Sequence, residues 1–363
     1  MTDATEALLS GSGGPPADIR RAALRWSYSE RIRDAQPPPA ALAQAVKRLD
    51  ASTVSMDAFG DRATAAALAR AVLTRISQTL DGKPAAANTA KRKRMVINNA
   101  MEYACEVGVL TANPLKLVNR TKPRAVTAVD PAVVVSPEHA RRFLKAVATH
   151  SERGRRLTAF FACMYFAALR PEEVSELRVS NLTLPTEAEA WGEMRLTRSQ
   201  PPSGSRWTSS GQPRELAPLK HRAKGDVRQV PIHPELVAML RNHIRDYVPA
   251  GPDARLFTGL TGGPVTDRMY LRVFHEARAA AFTEAERESP LMGVPYSLRH
   301  AAVSTWLRTT GDPALVASWA GHTVAVLLNV YAKCVHGTKG EALRRVFKAT
   351  RATGADKARK GTK

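Results

Sequence analysis

The sequence predicts a mainly α-helical chain with one small antiparallel sheet, arranged as a helical first domain and an α+β second domain. Three observations carry this. Apolar residues recur at helical spacing from Ala40 to Leu117. Strand-like runs are confined to Glu193–Ile232, between turns rich in Gly, Pro and Ser. Beyond Pro234 the helical pattern returns. At roughly 150 residues per domain, a chain of 363 residues accommodates two domains, and its 44% apolar content is enough for a core in each.

Residues 1–38 read as a flexible lead-in: Gly11-Ser12-Gly13-Gly14-Pro15-Pro16 and Pro37-Pro38-Pro39 flank one short amphipathic helix around Ile19 to Ile32. The helical domain, 39–119, has helices near Ala41–Leu49, Arg62–Leu80 and Asn88–Val109. In the last of these Val96, Ile97, Ala100, Met101 and Ala104 recur at helical spacing, which predicts a buried stripe. Lys91, Arg92, Lys93 and Arg94 stand near its N-terminus, where cations oppose the helix macrodipole. An external anion is the expected compensation; a solvated charged turn is the ordinary alternative. Asn113-Pro114 ends the block, and 120–135 is a linker carrying Arg120, Lys122 and Arg124. The second domain, 136–350, opens with Ser136 as N-cap and Pro137 at the first helical position. Helices are expected to about His150 and over Arg155–Leu169. Strands are expected at Glu193–Thr197, Arg214–Leu219 and Val227–Ile232. Further helices follow at Pro234–Tyr247, Asp267–Phe282, Leu298–Thr309, Pro313–Ala320 and Val324 to about Lys333. Residues 351–363 form a basic tail.

Fifty-four Lys and Arg face 33 Asp and Glu, a formal charge of +21. Such an excess implies a polyanionic partner, and nucleic acid is the obvious one. The longest apolar run, Leu157–Leu169, is interrupted by Thr158 and falls short of the roughly 18 residues of a membrane span. Asp3 and Glu6 stand where a secretory signal would be basic and then apolar. Cys105, Cys163 and Cys334 are too few and scattered for a disulfide framework or a zinc site. The expectation is a reducing, cytoplasmic compartment with no membrane, metal or cofactor.

The candidate chemistry sits at junctions. Arg170 closes the apolar run Ala167-Ala168-Leu169 and precedes Pro171-Glu172-Glu173, where Glu173 can position it. Arg299 opens a helix, a place favoured by phosphate. His322 follows the stop glycine Gly321, and Tyr331 lies nine residues further on. Taken singly, Arg170 is equally a salt bridge to Glu172 or Glu173, and Tyr331 equally a helix residue with its ring on the core.

Together, Ala168-Leu169-Arg170-Pro171-Glu172-Glu173, Leu298-Arg299-His300, Gly321-His322 twenty-three residues past Arg299, and Tyr331 resemble the tyrosine recombinase (phage integrase) family. Arg228-Gln229-Val230-Pro231 resembles that family's third strand, and Asn113-Pro114-Leu115 the end of its core-binding domain. The resemblance spans Ala40 to Lys348 and implies a helical core-binding domain and a catalytic domain closing as a clamp on duplex DNA. It implies Tyr331 as nucleophile, forming a 3′-phosphotyrosine and freeing a 5′-hydroxyl without metal or ATP. Arg170 and Arg299 would clamp the phosphate, His322 would contact it or assist proton transfer, and a hairpin lysine, Lys220 or Lys224, would protonate the leaving oxygen. The family usually has His three residues before the second arginine; here Tyr296 stands there, able to donate a hydrogen bond but not to act as a base near neutral pH. His300 is a nearby but poorly placed substitute.

The resemblance further implies site-specific recombination through a four-way junction in a homo-tetramer, formed from a chain that is monomeric when free and nucleoid-associated. An accessory directionality factor fits this picture, and so does a tail packing on a neighbouring subunit. The lead-in is too short for an additional arm-binding domain, so a two-domain enzyme acting on simple sites is expected. Two alternatives share the residues: a catalytically impaired DNA-binding relative, suggested by Tyr296, and a topoisomerase IB-like relaxing enzyme.

Overall fold

The computed structural model describes residues 2–8, 17–119, 128–208, 210–220, 225–335 and 339–350. Its contacts gather into two units, Met1–Val126 with Gly204–Pro213, and Thr127–Ser203 with Arg214–Lys363.

The first unit is helical. Helices α1 (Thr2–Leu8), α2 (Ala17–Ala22) and α3 (Glu30–Ala35) precede α4 (Ala40–Ser52), α5 (Arg62–Ile76) and α6 (Ala87–Glu106). The single short helix expected before Pro38 is therefore three. The reason is burial: Ala4 of α1 packs with Ala69, Val72, Leu73 and Ile76 of α5, while Ala22 and Ala23 pack on Ala45, Val46 and Leu49 of α4. Seating α1 there brings Asp3 to Lys93 (2.6 Å) and Arg20 (2.8 Å). Burial pushes the Asp3 pKa up, but Lys93 and Arg20 outweigh it and hold the carboxyl below its usual range. Part of the negative charge expected from outside at the Lys91–Arg94 cluster thus comes from within. Residues 204–213, between two strands of the second unit, belong to the first, where the Ser29 hydroxyl donates to the Arg206 carbonyl at 3.0 Å.

The second unit begins with a helical hairpin, α7 (Pro137–His150) and α8 (Glu152–Phe166). Ser136 and Ser151 cap these helices by accepting from the amides of His139 and Gly154. The core is aromatic: Phe160 meets Phe161 and Phe257 edge to face and stacks on Tyr270. A single turn, α9 (Pro171–Val174), leads to β1 (Leu182–Thr183), β2 (Gly192–Leu196), β3 (Arg198–Ser199), β4 (Ala217–Pro218) and β5 (Arg228–Ile232). The strands form an antiparallel sheet of order β1-β2-β5, and β3 pairs with β4. In the β2–β5 register Met194 faces Val230 and Leu196 faces Arg228. The strand expected over Arg214–Leu219 is only β4 and an isolated bridge from Arg214 to Pro202.

Helices α10 (Pro234–Tyr247), α11 (Asp267–Ala281), α12 (Glu284–Glu288), α13 (Tyr296–Thr310), α14 (Pro313–Ala320), α15 (Val324–Val335) and α16 (Lys339–Thr350) complete the unit. Gly311 and Gly321 end α13 and α14 in the left-handed conformation, φ +66° and +65°. The fold is mainly α with a small antiparallel sheet, as the sequence predicts. Among the described residues no single helix is long and apolar enough to cross a membrane.

Candidate active site

Four elements of the second unit converge: the turn into α9, β5, the start of α13, and the reversal from α14 to α15. Their centre is the carboxylate of Glu173, which is 2% exposed. It accepts from Arg228 Nη1 and Nη2 (2.8 and 2.7 Å), from Arg170 Nη1 (2.8 Å) and from the Arg170 backbone amide (2.9 Å). Burial alone would raise its pKa; the Arg228 guanidinium, then Arg170 and Arg299, hold it well below the ordinary carboxylate range.

The two arginines expected to clamp a phosphate are both buried, Arg170 at 6% exposure and Arg299 at 0%. Both are anchored on the end of α14. Arg299 Nη2 donates to the Ala320 carbonyl (2.6 Å) and Arg170 Nη2 to the Gly321 carbonyl (3.2 Å). Last-turn carbonyls lack helical partners and lie at the negative end of the macrodipole, so they suit guanidinium groups. Arg299 Nη1 also donates to the Ala168 carbonyl, and Ala168 sits at φ +50°, a left-handed conformation rare for a residue with a Cβ. Burial pulls the Arg299 pKa down, only partly offset by Tyr296.

The reversal at Gly321 positions His322, whose amide donates to the Ala317 carbonyl at 3.0 Å. Arg299 Nη2 lies 3.0 Å from His322 Nε2. Arginine has no acceptor, so Nε2 accepts and the ring proton resides on Nδ1. Burial first, then Arg299, Arg170 and Arg228, push the His322 pKa down to about 3. His322 Nδ1 and Arg299 Nε are buried without hydrogen-bond partners among the described residues.

Tyr331 on α15 is 0% exposed, within an apolar cluster with Val129, Ala168, Val303, Leu307 and Leu327. Its ring lies 6.2 Å from that of His322, and its hydroxyl is 3.0 Å from Nδ1 of His300. Both ordinary readings thus hold: Arg170 does pair with Glu173, and the Tyr331 ring does lie on the core. A phosphate reaches this hydroxyl only once its covering is displaced. Tyr296, the first residue of α13, packs its ring edge-on to His300 at 5.0 Å and beneath the Arg299 guanidinium at 5.7 Å.

The structure therefore brings together Arg170, Glu173, Tyr296, Arg299, His322 and Tyr331. It does not bring Lys220, which is exposed on the turn after β4 and hydrogen-bonds to none of them. Lys224, Arg120, Lys122 and Arg124 lie outside the described residues. On α6, Lys91 and Arg92 are exposed and Arg94 is half-buried, while Lys93 is engaged by Asp3 and the Gln78 carbonyl.

The sequence pattern does not assign Arg228 or His300 to this site. Arg228, 2% exposed, alternates with Val230 and Ile232 on the inner face of β5. The period-2 pattern of Arg228-Gln229-Val230-Pro231-Ile232 contains that signal: a guanidinium in an apolar register must meet a buried acid. Gly321 is required twice over, because a Cβ there would come within 2.4 Å of Arg228 Nη1 and φ is positive. The structure corrects the expectation that His300 is poorly placed: it touches the Tyr331 hydroxyl.

Two outcomes follow from the Glu173 centre. Arg228→Met removes two of the four bonds to a buried carboxylate and is expected to lower unfolding free energy by about 3 kcal/mol, measured by urea denaturation. A carboxyl whose pKa is depressed on folding stabilises above its unfolded value and loses that contribution on acidification. Wild-type stability should therefore decline as pH falls below about 4.5, the ordinary value, and Glu173→Gln should flatten this decline in pH-dependent unfolding curves.

No protein-family model and no curated protein matches the chain. Solved structures do. The Tn1549 transposon integrase in complex with transposon right end DNA matches with a TM-score of 0.57 at 15% identity, over 91% of this chain and 99% of that one. The XerH site-specific recombinase in its post-cleavage complex with palindromic difH substrate matches with a TM-score of 0.51 at 14% identity, over 96% of this chain and 94% of that one. At such identity the likeness speaks for the fold, and the fold is that of the tyrosine recombinases.

Proposed function

We propose that the chain is a site-specific DNA recombinase that cuts and rejoins DNA through a 3′-phosphotyrosine on Tyr331. One observation carries this reading: three buried guanidinium groups, Arg170, Arg228 and Arg299, cluster around one buried carboxylate, Glu173, which binds Arg170 and Arg228 and feels Arg299 only through its field. A buried excess of positive charge is costly unless an anion completes it. Arg299 Nε and His322 Nδ1 add unpaired donors beside the Tyr331 ring. A phosphodiester has the charge and the acceptor oxygens to answer both, and its transition state concentrates charge on those oxygens.

In the proposed reaction Arg170 and Arg299 neutralise the non-bridging oxygens and the Tyr331 oxygen attacks phosphorus. The 5′-oxygen departs with a proton from Lys220 or Lys224. The phosphotyrosine conserves the bond energy, so rejoining to another strand requires neither ATP nor metal. Two sequential exchanges through a four-way junction in a homo-tetramer would complete recombination. The exposed Leu343, Val346 and Phe347 on α16 support tail packing between subunits, since they give that helix an apolar face. The helical domain 39–119, the 120–135 linker and the basic tail would supply sequence-independent, salt-sensitive DNA affinity through the exposed Lys91 and Arg92, half-buried Arg94, and Arg120, Lys122 and Arg124. Lys93 would contribute less, because Asp3 already neutralises it. Work on chromosomal DNA would place the protein in the cytoplasm at the nucleoid.

A nicked suicide duplex in EDTA should trap a covalent protein–DNA adduct with the wild type and none with Tyr331→Phe, although the variant still shifts DNA; an adduct persisting in that variant would overturn the assignment. Lys220→Ala and Lys224→Ala identify the acid. Only loss of the true acid should be restored by a scissile linkage with a 5′-bridging sulfur, read as single-turnover cleavage rate.

A further inference from the structure

His300 follows Arg299 on α13, and its Nδ1 lies 3.0 Å from the Tyr331 hydroxyl, with the two rings edge-on at 5.6 Å. One turn earlier on the helix, the Tyr296 ring packs edge-on against the imidazole at 5.0 Å and restricts its plane. Burial first, and Arg299 second, hold the His300 pKa down at about 4, so the ring is neutral near pH 7. Among the described residues, Arg299 and Tyr296 on its own helix and Tyr331 on α15 are the titratable and charged groups at His300, and α8 and α14, which also pack on α13, contribute no charge that shifts it. The neighbouring imidazole, His322, uses its Nε2 lone pair to accept from Arg299. Tyr296, standing where the related enzymes usually have histidine, offers no base near neutral pH. A nucleophile, a base within hydrogen-bond reach and a third group orienting that base are thus present together.

We propose that His300 is the proton acceptor for Tyr331 in strand cleavage, an inference that rests on the phosphotyrosine reading. As Tyr331 Oη forms its bond to phosphorus, the phenolic proton passes to His300 Nδ1. The bond from phosphorus to O5′ breaks, and O5′ takes a proton from the ammonium of the hairpin lysine. In rejoining, the incoming 5′-hydroxyl returns a proton to that lysine amine, and the His300 imidazolium gives its proton back to the departing Tyr331 oxygen. The cycle consumes no proton. Arg299 opposes formation of the imidazolium while the site is empty; the negative charge of a bound phosphodiester relieves that opposition and raises the basicity of His300 when substrate is in place.

The test is single-turnover cleavage by the full-length protein of a nicked duplex with a 5′-bridging sulfur, a linkage that needs no general acid, between pH 6 and 9.5. His300→Asn keeps a hydrogen-bonding group near the Nδ1 position but cannot carry the proton. It should bind DNA as the wild type does and lose about 10²- to 10⁴-fold in rate at pH 7. Its rate should then climb about tenfold per pH unit, because only ionised phenol attacks, whereas the wild type stays level from pH 7 to 9. A loss that is the same at every pH marks a structural role and overturns the proposal, as does an unchanged rate. If the variant does not fold, the wild-type profile decides. A plateau supports His300, and a rate proportional to hydroxide overturns it. A Tyr331→Phe adduct would instead remove the phosphotyrosine reading itself.

Discussion

The arrangement depends on one buried carboxylate. Glu173 binds Arg228 through both oxygens and Arg170 through side chain and backbone. Charges this deeply buried persist only when paired and hydrogen-bonded. The pairing ties the turn into α9 to β5, and through Arg228 it fixes the space against which Gly321 closes. The position of His322 follows from that closure, because the reversal that places it needs both the left-handed glycine and the room beside Arg228. Hydrophobic packing of α8, α13 and α14 brings these segments near one another; the Glu173 pairings set their register at the scale of a hydrogen bond.

The same centre explains how a reactive cluster is kept ready in a folded protein. Three guanidinium groups would repel one another in a low-dielectric interior. Glu173 answers part of that charge, and the last carbonyls of α14 answer more through partial charges. His322 Nδ1, without a partner among the described residues, sits on a ring 6.2 Å from that of Tyr331, and the proposed chemistry would draw on what the scaffold leaves unpaired there. The two imidazoles there are both driven neutral by burial and by Arg299. One faces an arginine and the other a phenol, and different partners give them different work.

Much of this was legible in the sequence where local rules decide. Helices α10 and α14 begin and end at the expected residues, because proline at the first helical position sets their starts and Gly321 ends α14. The resemblance, carried by the order and spacing of their motifs, implies roles for Arg170, Arg299, His322 and Tyr331, and the structure brings those four residues into one cluster. What spacing does not encode is contact between distant elements. His300 and Tyr331 are separated by 31 positions, and nothing in either helix's periodicity reveals that the two side chains meet. Arg228 was visible as a strand residue but not as a partner of Glu173, because a strand pattern gives a face and not what lies across it. Helix α1 is not legible for a related reason: it is seven residues long, and its stability comes from packing on α5 rather than from its own turns.

Both arginines proposed to clamp the phosphate rest on the carbonyls at the end of a single eight-residue helix, α14. A shift of that helix end would loosen one bond of Arg170 and one of Arg299 at once and carry His322 with it, while Glu173 and the Ala168 carbonyl keep their hold on the two guanidinium groups. The three groups are therefore coupled through one helix end. In the proposed reaction this coupling would be a safeguard against half-competence. A centre able to begin a cut but unable to reseal it would leave a lesion, and a cluster that shares one helix terminus would be less prone to that intermediate condition.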